Sequence, residues 1–159
     1  MIGLSHTLRR FRDLANRIPY SLIALLARGS IAAIFWRAAL TKVDKDFNVT
    51  SRTVSLFENE YLANLPFLPP APMAYLATFV EFSMPALILA GLATRLATLP
   101  LIGMALFIQV LVYPTSWPDH LVWITLLGLL LARGPGLISL DALLVRQFDR
   151  NGATVRAGA

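Results

Sequence analysis

Residues 73–92, MAYLATFVEFSMPALILAGL, are an apolar run with one ionisable side chain, Glu81, near its middle. At about 1.5 Å per residue, a helix over this run reaches across the roughly 30 Å hydrocarbon core of a bilayer. A second such run, residues 19–40, contains Arg28 and Arg37. Ionisable groups are costly in hydrocarbon, so in a spanning segment they usually face a partner or a cavity. The sequence therefore predicts a membrane protein with charged groups inside its helix bundle.

The composition agrees with this class. The 159 residues are 57% hydrophobic and 14% charged, with a mean hydropathy of +0.64, whereas soluble domains carry about 25% charged residues. There is no cysteine, which excludes disulfides, thiol catalysis and thiolate metal sites as intrinsic chemistry. On so apolar a chain, the net charge of +5 is a topology signal and does not indicate nucleic-acid binding.

Four apolar runs predict an all-α, polytopic fold, a bundle of four transmembrane helices within residues 19–133. The predicted spans are residues 19–40, 73–92, 97–113 and 117–132, with an outer loop over residues 41–72. The proline-rich end of that loop, residues 66–72, is expected to be non-helical and to lie across the mouth of the bundle.

Local signals mark the fourth helix and the segment after it. Ser116 with Asp119 predicts a capping box at its start. Gly134, Pro135 and Gly136 predict its end, and Ser139 is the expected cap of a short last helix.

The two tails are predicted to be short interfacial helices. The basic residues 1–18 and the amphipathic residues 134–159 each place leucines and phenylalanine opposite charged side chains, which is typical of helices on a membrane surface. A frayed basic tail is the alternative for both. The apolar run after the first tail is too long for a signal peptide, so we expect it to be retained.

Basic residues predict the orientation. Arginines concentrate in the two tails and at Arg95 in the second connection, whereas the first connection balances bases with acids and the third has no basic residue. The positive-inside rule then places both termini in the cytoplasm of a bacterial-type inner membrane. An even number of spans is required for this orientation, and four satisfies it.

Glu81 is expected to pair with an arginine. One arginine at a helix centre costs about 2.5–3.5 kcal/mol, which cancels most of the gain from the apolar residues of the first helix. Glu81 is the only acid away from the ends of the predicted spans, since Asp119 is in the first turn of the fourth, and the depth of Glu81 lies between those of Arg28 and Arg37. A buried pair that merely fixes how two helices dock is the alternative interpretation.

A polar pocket is predicted around Glu81. Lys42, Trp117 and His120 are expected at its outer mouth, with Gln109 and Glu81 deeper. The alternatives are an aromatic belt for the tryptophans and interhelical hydrogen bonding for Gln109. An axial pair for haem and three ligands for a catalytic zinc are not assembled, so no intrinsic cofactor or metal is expected.

Several segments resemble the DoxX family of small membrane proteins. They are residues 35–42 (FWRAALTK), Glu81, residues 91–95 (GLATR) and residues 134–141 (GPGLISLD), which contains Gly134, Gly136, Ser139 and Asp141. The similarity runs from about residue 22 to residue 144. Ala38 and Ala39 depart from the pattern, since many relatives have a glycine before the lysine.

The resemblance implies a four-helix membrane bundle associated with redox systems. The family name comes from a quinone-linked thiosulfate oxidation complex, and other relatives are linked to membrane oxidoreductases. The expected function is a non-catalytic or quinone-contacting subunit for a redox or stress-response partner. A small-solute or proton-linked transporter with Glu81 as the titrating group is the alternative, and it would need an oligomer to complete its walls.

Overall fold

A computed structural model describes residues 12–13 and 16–157, with side chains described as far as residue 148. Within this part the chain is helical, and its one β feature is an isolated bridge between Val43 and Val49. The predicted all-α fold is confirmed for the described residues. The interfacial helix predicted in the N-terminal tail falls mostly outside them.

The first two long helices match the first two predicted spans. Helix α1 is Tyr20–Leu40, and a loop region containing α2 (Ser51–Leu56) and a π-helical turn (Phe57–Tyr61) connects it to α3, Pro70–Ala90. The expectation of a non-helical segment up to residue 72 is wrong at its end. Prolines are tolerated in a first helical turn, where an N–H has no intrahelical partner, so α3 begins three residues earlier than predicted.

The next two helices are joined by residues 113–116 and pack against each other. Helix α4 is Thr94–Phe107 and continues as a π-helical turn, Ile108–Val112, while α5 is Trp117–Arg133. Ser116 is the N-cap residue of α5, but its side chain makes no capping hydrogen bond. The position of the cap was therefore predicted correctly, whereas the capping box is not formed.

The last helix, α6, is Leu140–Ala157. The Ser139 hydroxyl accepts a hydrogen bond from the Ala142 amide at 3.2 Å, as an N-cap does. Leu143, Leu144 and Phe148 are exposed on α6, so this helix offers an apolar surface that the rest of the chain does not cover.

Helices α1, α3, α4 and α5 pack in a ring. Helix α1 contacts α3 and α5, and α4 contacts the same two helices. The core inside the ring includes Ile31, Phe35, Ile88, Leu101 and Leu127. Many large apolar side chains remain exposed on the outside of the ring, among them Leu26, Phe79, Leu96 and Val110. A bundle that is apolar on its outer surface as well as in its core is suited to contact with lipid.

Among the residues that the structure describes, three stretches of helix are long and apolar enough to cross a membrane, namely Tyr20–Leu40, Pro70–Ala90 and Thr94–Val112. The fourth predicted span corresponds to α5, which has 17 residues and therefore extends about 25 Å.

We call the side of the bundle with residues 41–69 the loop end. The opposite side, where residues 134–139 connect α5 to α6, is the tail end.

Candidate functional site at the loop end

Glu81 forms an ion pair with Lys42. The Lys42 Nζ lies 2.7 Å from Oε2 and 3.0 Å from Oε1 of the carboxylate, and 3.3 Å from the Ala38 carbonyl oxygen. The side chains are 15% and 5% exposed respectively. Since Lys42 follows the end of α1, its long side chain reaches back along the helix to a depth that its backbone does not reach.

The arginine pairing predicted for Glu81 is wrong. Arg28 is buried near the tail end, where its guanidinium donates to four backbone carbonyl groups. They are those of Ile88 (2.8 Å), Leu89, Pro135 (3.3 Å) and Ile138 (2.5 Å). Arg37 is exposed. The prediction counted only carboxylates as partners, but the last carbonyl groups of a helix lack intrahelical donors and attract a cation.

The region around the ion pair is held by a second contact between α1 and α3. The Trp36 indole donates to the Phe82 carbonyl oxygen at 3.0 Å, one residue after Glu81. Pro85 lies in the next turn of α3 and cannot donate to the Glu81 carbonyl. Ala39 is fully buried, so close packing is retained without the glycine that many relatives carry before the lysine.

Lys42 and Glu81 line a cavity of about 960 Å³. Its other walls are mostly apolar and come from α1, α3, α4, α5 and the π-helical turn after α2. The lining side chains include Ile34, Phe35, Leu62, Met73, Val80, Met104, Phe107 and Trp123, with Arg37, Thr41, Tyr61 and Tyr113 as further polar groups. The cavity therefore combines a large apolar volume with a few converging polar atoms, as small-molecule sites do.

Gln109 and His120 form a separate buried pair. His120 Nδ1 lies 2.7 Å from Gln109 Oε1, and Gln109 Nε2 donates to the Pro114 carbonyl oxygen at 2.8 Å. Neither side chain lines the cavity, and Trp117 is exposed outside it. The single pocket predicted for these residues is therefore divided. Gln109 turns toward the neighbouring helix because the π-helical turn shifts the register of α4.

Trp123 contacts both the cavity of the Lys42–Glu81 pair and the ring of His120. Its ring is 4.8 Å from the His120 ring and 5.8 Å from the Phe35 ring, centroid to centroid, and it lines the cavity. From the sequence, Trp123 was expected at the outer boundary with Lys42, Trp117 and His120, and an aromatic belt was the favoured explanation for the tryptophans. Its position three residues after His120 on one helix was the available signal.

Tyr61 and Tyr113 lie at the loop side of the cavity, and sequence reasoning did not select either. Their rings pack edge to face at 6.2 Å, and the Tyr113 hydroxyl donates to Glu60. The two rings connect the loop region to the end of α4.

The glycine-rich segment predicted from residues 134–141 forms a tight connection at the tail end. Gly136 has φ of +80°, and a Cβ there would lie 2.9 Å from the Ser21 Cα. The Asp141 carboxylate accepts hydrogen bonds from the Ala93 and Thr94 amides, at 2.7 and 3.1 Å, and so caps α4. Gly134, Gly136, Ser139 and Asp141 therefore join α1, α4 and α6, far from the Lys42–Glu81 pair.

A family model described as DoxX matches residues 23–114. The matched part contains α1, α3 and α4 with Arg28, Lys42 and Glu81, and it ends before Trp117, His120 and the glycine-rich segment. No curated protein and no solved structure is significantly similar to the chain.

Proposed function

The chain belongs to the DoxX family, and on that premise we propose that it is a quinone-binding, non-catalytic subunit of a membrane redox or stress-response system. Its three long apolar helices make it a multi-pass membrane protein. We further propose that α5 is a fourth span and that both termini lie in the cytoplasm of a bacterial-type inner membrane. In that membrane it would associate with an oxidoreductase or with further copies of itself.

The observation that carries the proposal is the polar pair in the wall of the apolar cavity. A quinone has two carbonyl oxygens on an apolar ring with an apolar tail. Arg37 offers donors for the carbonyl oxygens, Lys42 could do so by exchanging one of its contacts with Glu81 or Ala38, and Glu81 offers an acceptor for the hydroxyl of the reduced form. The apolar walls suit the ring and tail, and about 960 Å³ is at the upper end of the usual range for ligand pockets, roughly 300–1,000 Å³.

Quinone binding is tested by tryptophan fluorescence. Among the three tryptophans, Trp123 lines the cavity, whereas Trp36 and Trp117 do not. A short-tailed ubiquinone analogue added to purified protein in detergent should quench the fluorescence with saturation. Trp123→Phe should remove most of the saturable quenching, while Trp117→Phe should leave it, since Trp117 is exposed outside the cavity.

A cavity-filling variant supplies the control. A Cβ at Gly103, which lines the cavity, or at Gly128, which does not, meets no heavy atom within 4 Å. Gly103→Leu should weaken binding at least about tenfold by occupying the cavity, and Gly128→Leu should not. Equal quenching in the two variants, or solute uptake by liposomes containing the protein alone, would favour the transporter over a quinone-binding subunit.

Reporter fusions test the proposed orientation. A cytoplasmic reporter inserted after Arg95 should be active, and one inserted near Arg52 should be silent, because the first lies at the tail end and the second at the loop end. Activity of the reporter near Arg52 would contradict the four-span arrangement.

A further inference from the structure

A second cavity, of about 780 Å³, lies at the tail end. It is bounded by the starts of α1, α4 and α6 and by the segment that follows α5. Arg95, Arg133 and Arg146 all line it, so residues distant in sequence bring three guanidinium groups to one opening. The cavity is at the opposite end of the bundle from the Lys42–Glu81 pair and does not depend on the function proposed above.

With respect to the side chains that the structure describes, the three arginines have donors left for a ligand. Arg95 makes one hydrogen bond, from Nη2 to the Ala132 carbonyl oxygen at 3.3 Å. The Arg133 guanidinium stacks 5.7 Å from the centre of the Tyr20 ring, which leaves its edge open. Among the described side chains, no carboxylate lies within 4 Å of any of the three.

Asp141, the one acid among the described residues that line the cavity, is already engaged. Both oxygens of Asp141 accept hydrogen bonds from backbone N–H groups at the start of α4. This carboxylate therefore forms no ion pair with the three arginines. The cavity therefore has an excess of positive charge with a fixed arrangement, and it suits an anion with several acceptor oxygens.

The same cavity is bordered by apolar side chains that face outward. Leu96, Leu137 and Val145 line it and are 70%, 65% and 60% exposed. A soluble phosphate compound would gain little from such a border. A lipid would place its acyl chains against these side chains and its headgroup between the arginines.

We propose that this cavity binds the phosphate group of an anionic glycerophospholipid, with Arg95 and Arg133 as the main donors and Arg146 as a third. Basic pockets between membrane helices on the cytoplasmic side are suited to anionic headgroups. Bidentate hydrogen bonding to two phosphate oxygens is a geometry that guanidinium provides and ammonium does not. The bound lipid would bridge α4, α5 and α6.

Native mass spectrometry of the protein in neutral detergent tests the proposal. With phosphatidylglycerol and phosphatidylcholine added at equal concentration, the protein should retain the anionic lipid preferentially. The double variant Arg95→Gln/Arg133→Gln should lower that retention at least about tenfold, because each charge-assisted hydrogen bond contributes several-fold to binding. Arg52→Gln, an exposed arginine at the loop end, removes one charge elsewhere and should leave retention unchanged.

Three outcomes would overturn the proposal. Equal retention of the two lipids by the unaltered protein would show that the cavity does not select for charge. Retention of phosphatidylglycerol by a folded double variant, judged by an unchanged unfolding temperature, would exclude these arginines. Displacement of the lipid by an equal concentration of glycerol phosphate would show that a soluble phosphate ester, and not a lipid, is the ligand.

Discussion

Arg28 and Glu81 are both almost fully buried, at 3% and 4% exposure, but their surroundings differ. The Arg28 guanidinium is bound by four backbone carbonyl groups of the tail end. Glu81 has one side-chain partner, Lys42, and both line a large cavity. The first charge is held by atoms fixed in the backbone, whereas the second is held by a flexible side chain beside open space.

This difference predicts that the two buried charges respond differently to mutation. Removing Arg28 would leave the Leu89, Pro135 and Ile138 carbonyl groups without their side-chain donor, whereas the Ile88 carbonyl would keep the Gly91 amide. Displacing Lys42 would leave Glu81 beside a cavity that can admit water or a polar ligand. The loss of stability on changing the Lys42–Glu81 pair is therefore expected to be smaller than that on changing Arg28. The geometry around the pair can also change when a ligand binds.

Arg28→Met should have the largest effect, because it keeps the stem of the side chain but removes all donors. We expect a loss of roughly 3 kcal/mol in the free energy of unfolding, since three carbonyl groups lose their side-chain donor and each unsatisfied carbonyl is costly. Reversible unfolding in mixed micelles measures this value. The exposed Arg37→Met is the matched control and should change stability by less than about 0.5 kcal/mol. Similar losses in both would remove the structural role of Arg28.

Gly91→Ala should have the next largest effect and tests the same tail-end junction through the backbone. Gly91 has φ of +71°, and a Cβ there would lie 2.5 Å from the Ser139 Cβ and 3.0 Å from the Arg28 guanidinium carbon. Strain and overpacking together should cost about 2–4 kcal/mol. Gly128→Ala, where a Cβ meets open space, should be tolerated, and thermal unfolding of the two variants compares them directly.

A double-mutant cycle of Lys42→Met and Glu81→Gln should show a coupling of about 1–3 kcal/mol, with the double variant less destabilised than the sum of the single variants. Each single variant should cost less than Arg28→Met, because the remaining charge borders the cavity. The cycle of Arg37→Met with Glu81→Gln should be additive. Coupling to Arg37 instead of Lys42 would contradict the observed pairing.

Thr94→Val should have the smallest effect, and of opposite sign. Thr94 Oγ1 is the one buried side-chain oxygen or nitrogen without a hydrogen-bond partner among the described residues. Replacing it should raise stability by up to about 1 kcal/mol. The equally buried Thr98 donates to the Arg95 carbonyl oxygen at 2.7 Å, so Thr98→Val should lower it. Both are measured in neutral detergent without added lipid.

The sequence was sufficient for the long helices because apolar runs and prolines determine them locally. The bounds of α1 and α5 differ from prediction by one residue at most, and the DoxX resemblance is confirmed by the family model. Helix α3 was shifted because a proline suits a first turn as well as a loop. The π-helical turn at Ile108–Val112 has no comparable local signal, so the side-chain direction of Gln109 was not predictable.

The partners of the buried charges were not predictable from composition and depth. The depths of the residues in their helices placed Glu81 within reach of either arginine. They could not show that Ile88 and Leu89, near the end of α3, offer carbonyl groups to Arg28. The prediction also treated Lys42 as a residue of the boundary, although a four-carbon stem lets its ammonium reach inward. The predicted site residues at the loop end are therefore divided between an ion pair in a cavity and a separate buried hydrogen bond.

The partners of Arg28 also set an order for assembly during synthesis. They lie 60 to 110 residues later in the chain, and at about 5–20 residues per second the first emerges roughly 3–12 s after Arg28 and the last roughly 5–22 s after it. Throughout that interval α1 carries a charge without its final ligands. Helix α1 is thus made before every group that will bind its buried charge, and this site can be completed only after residue 138 has been added.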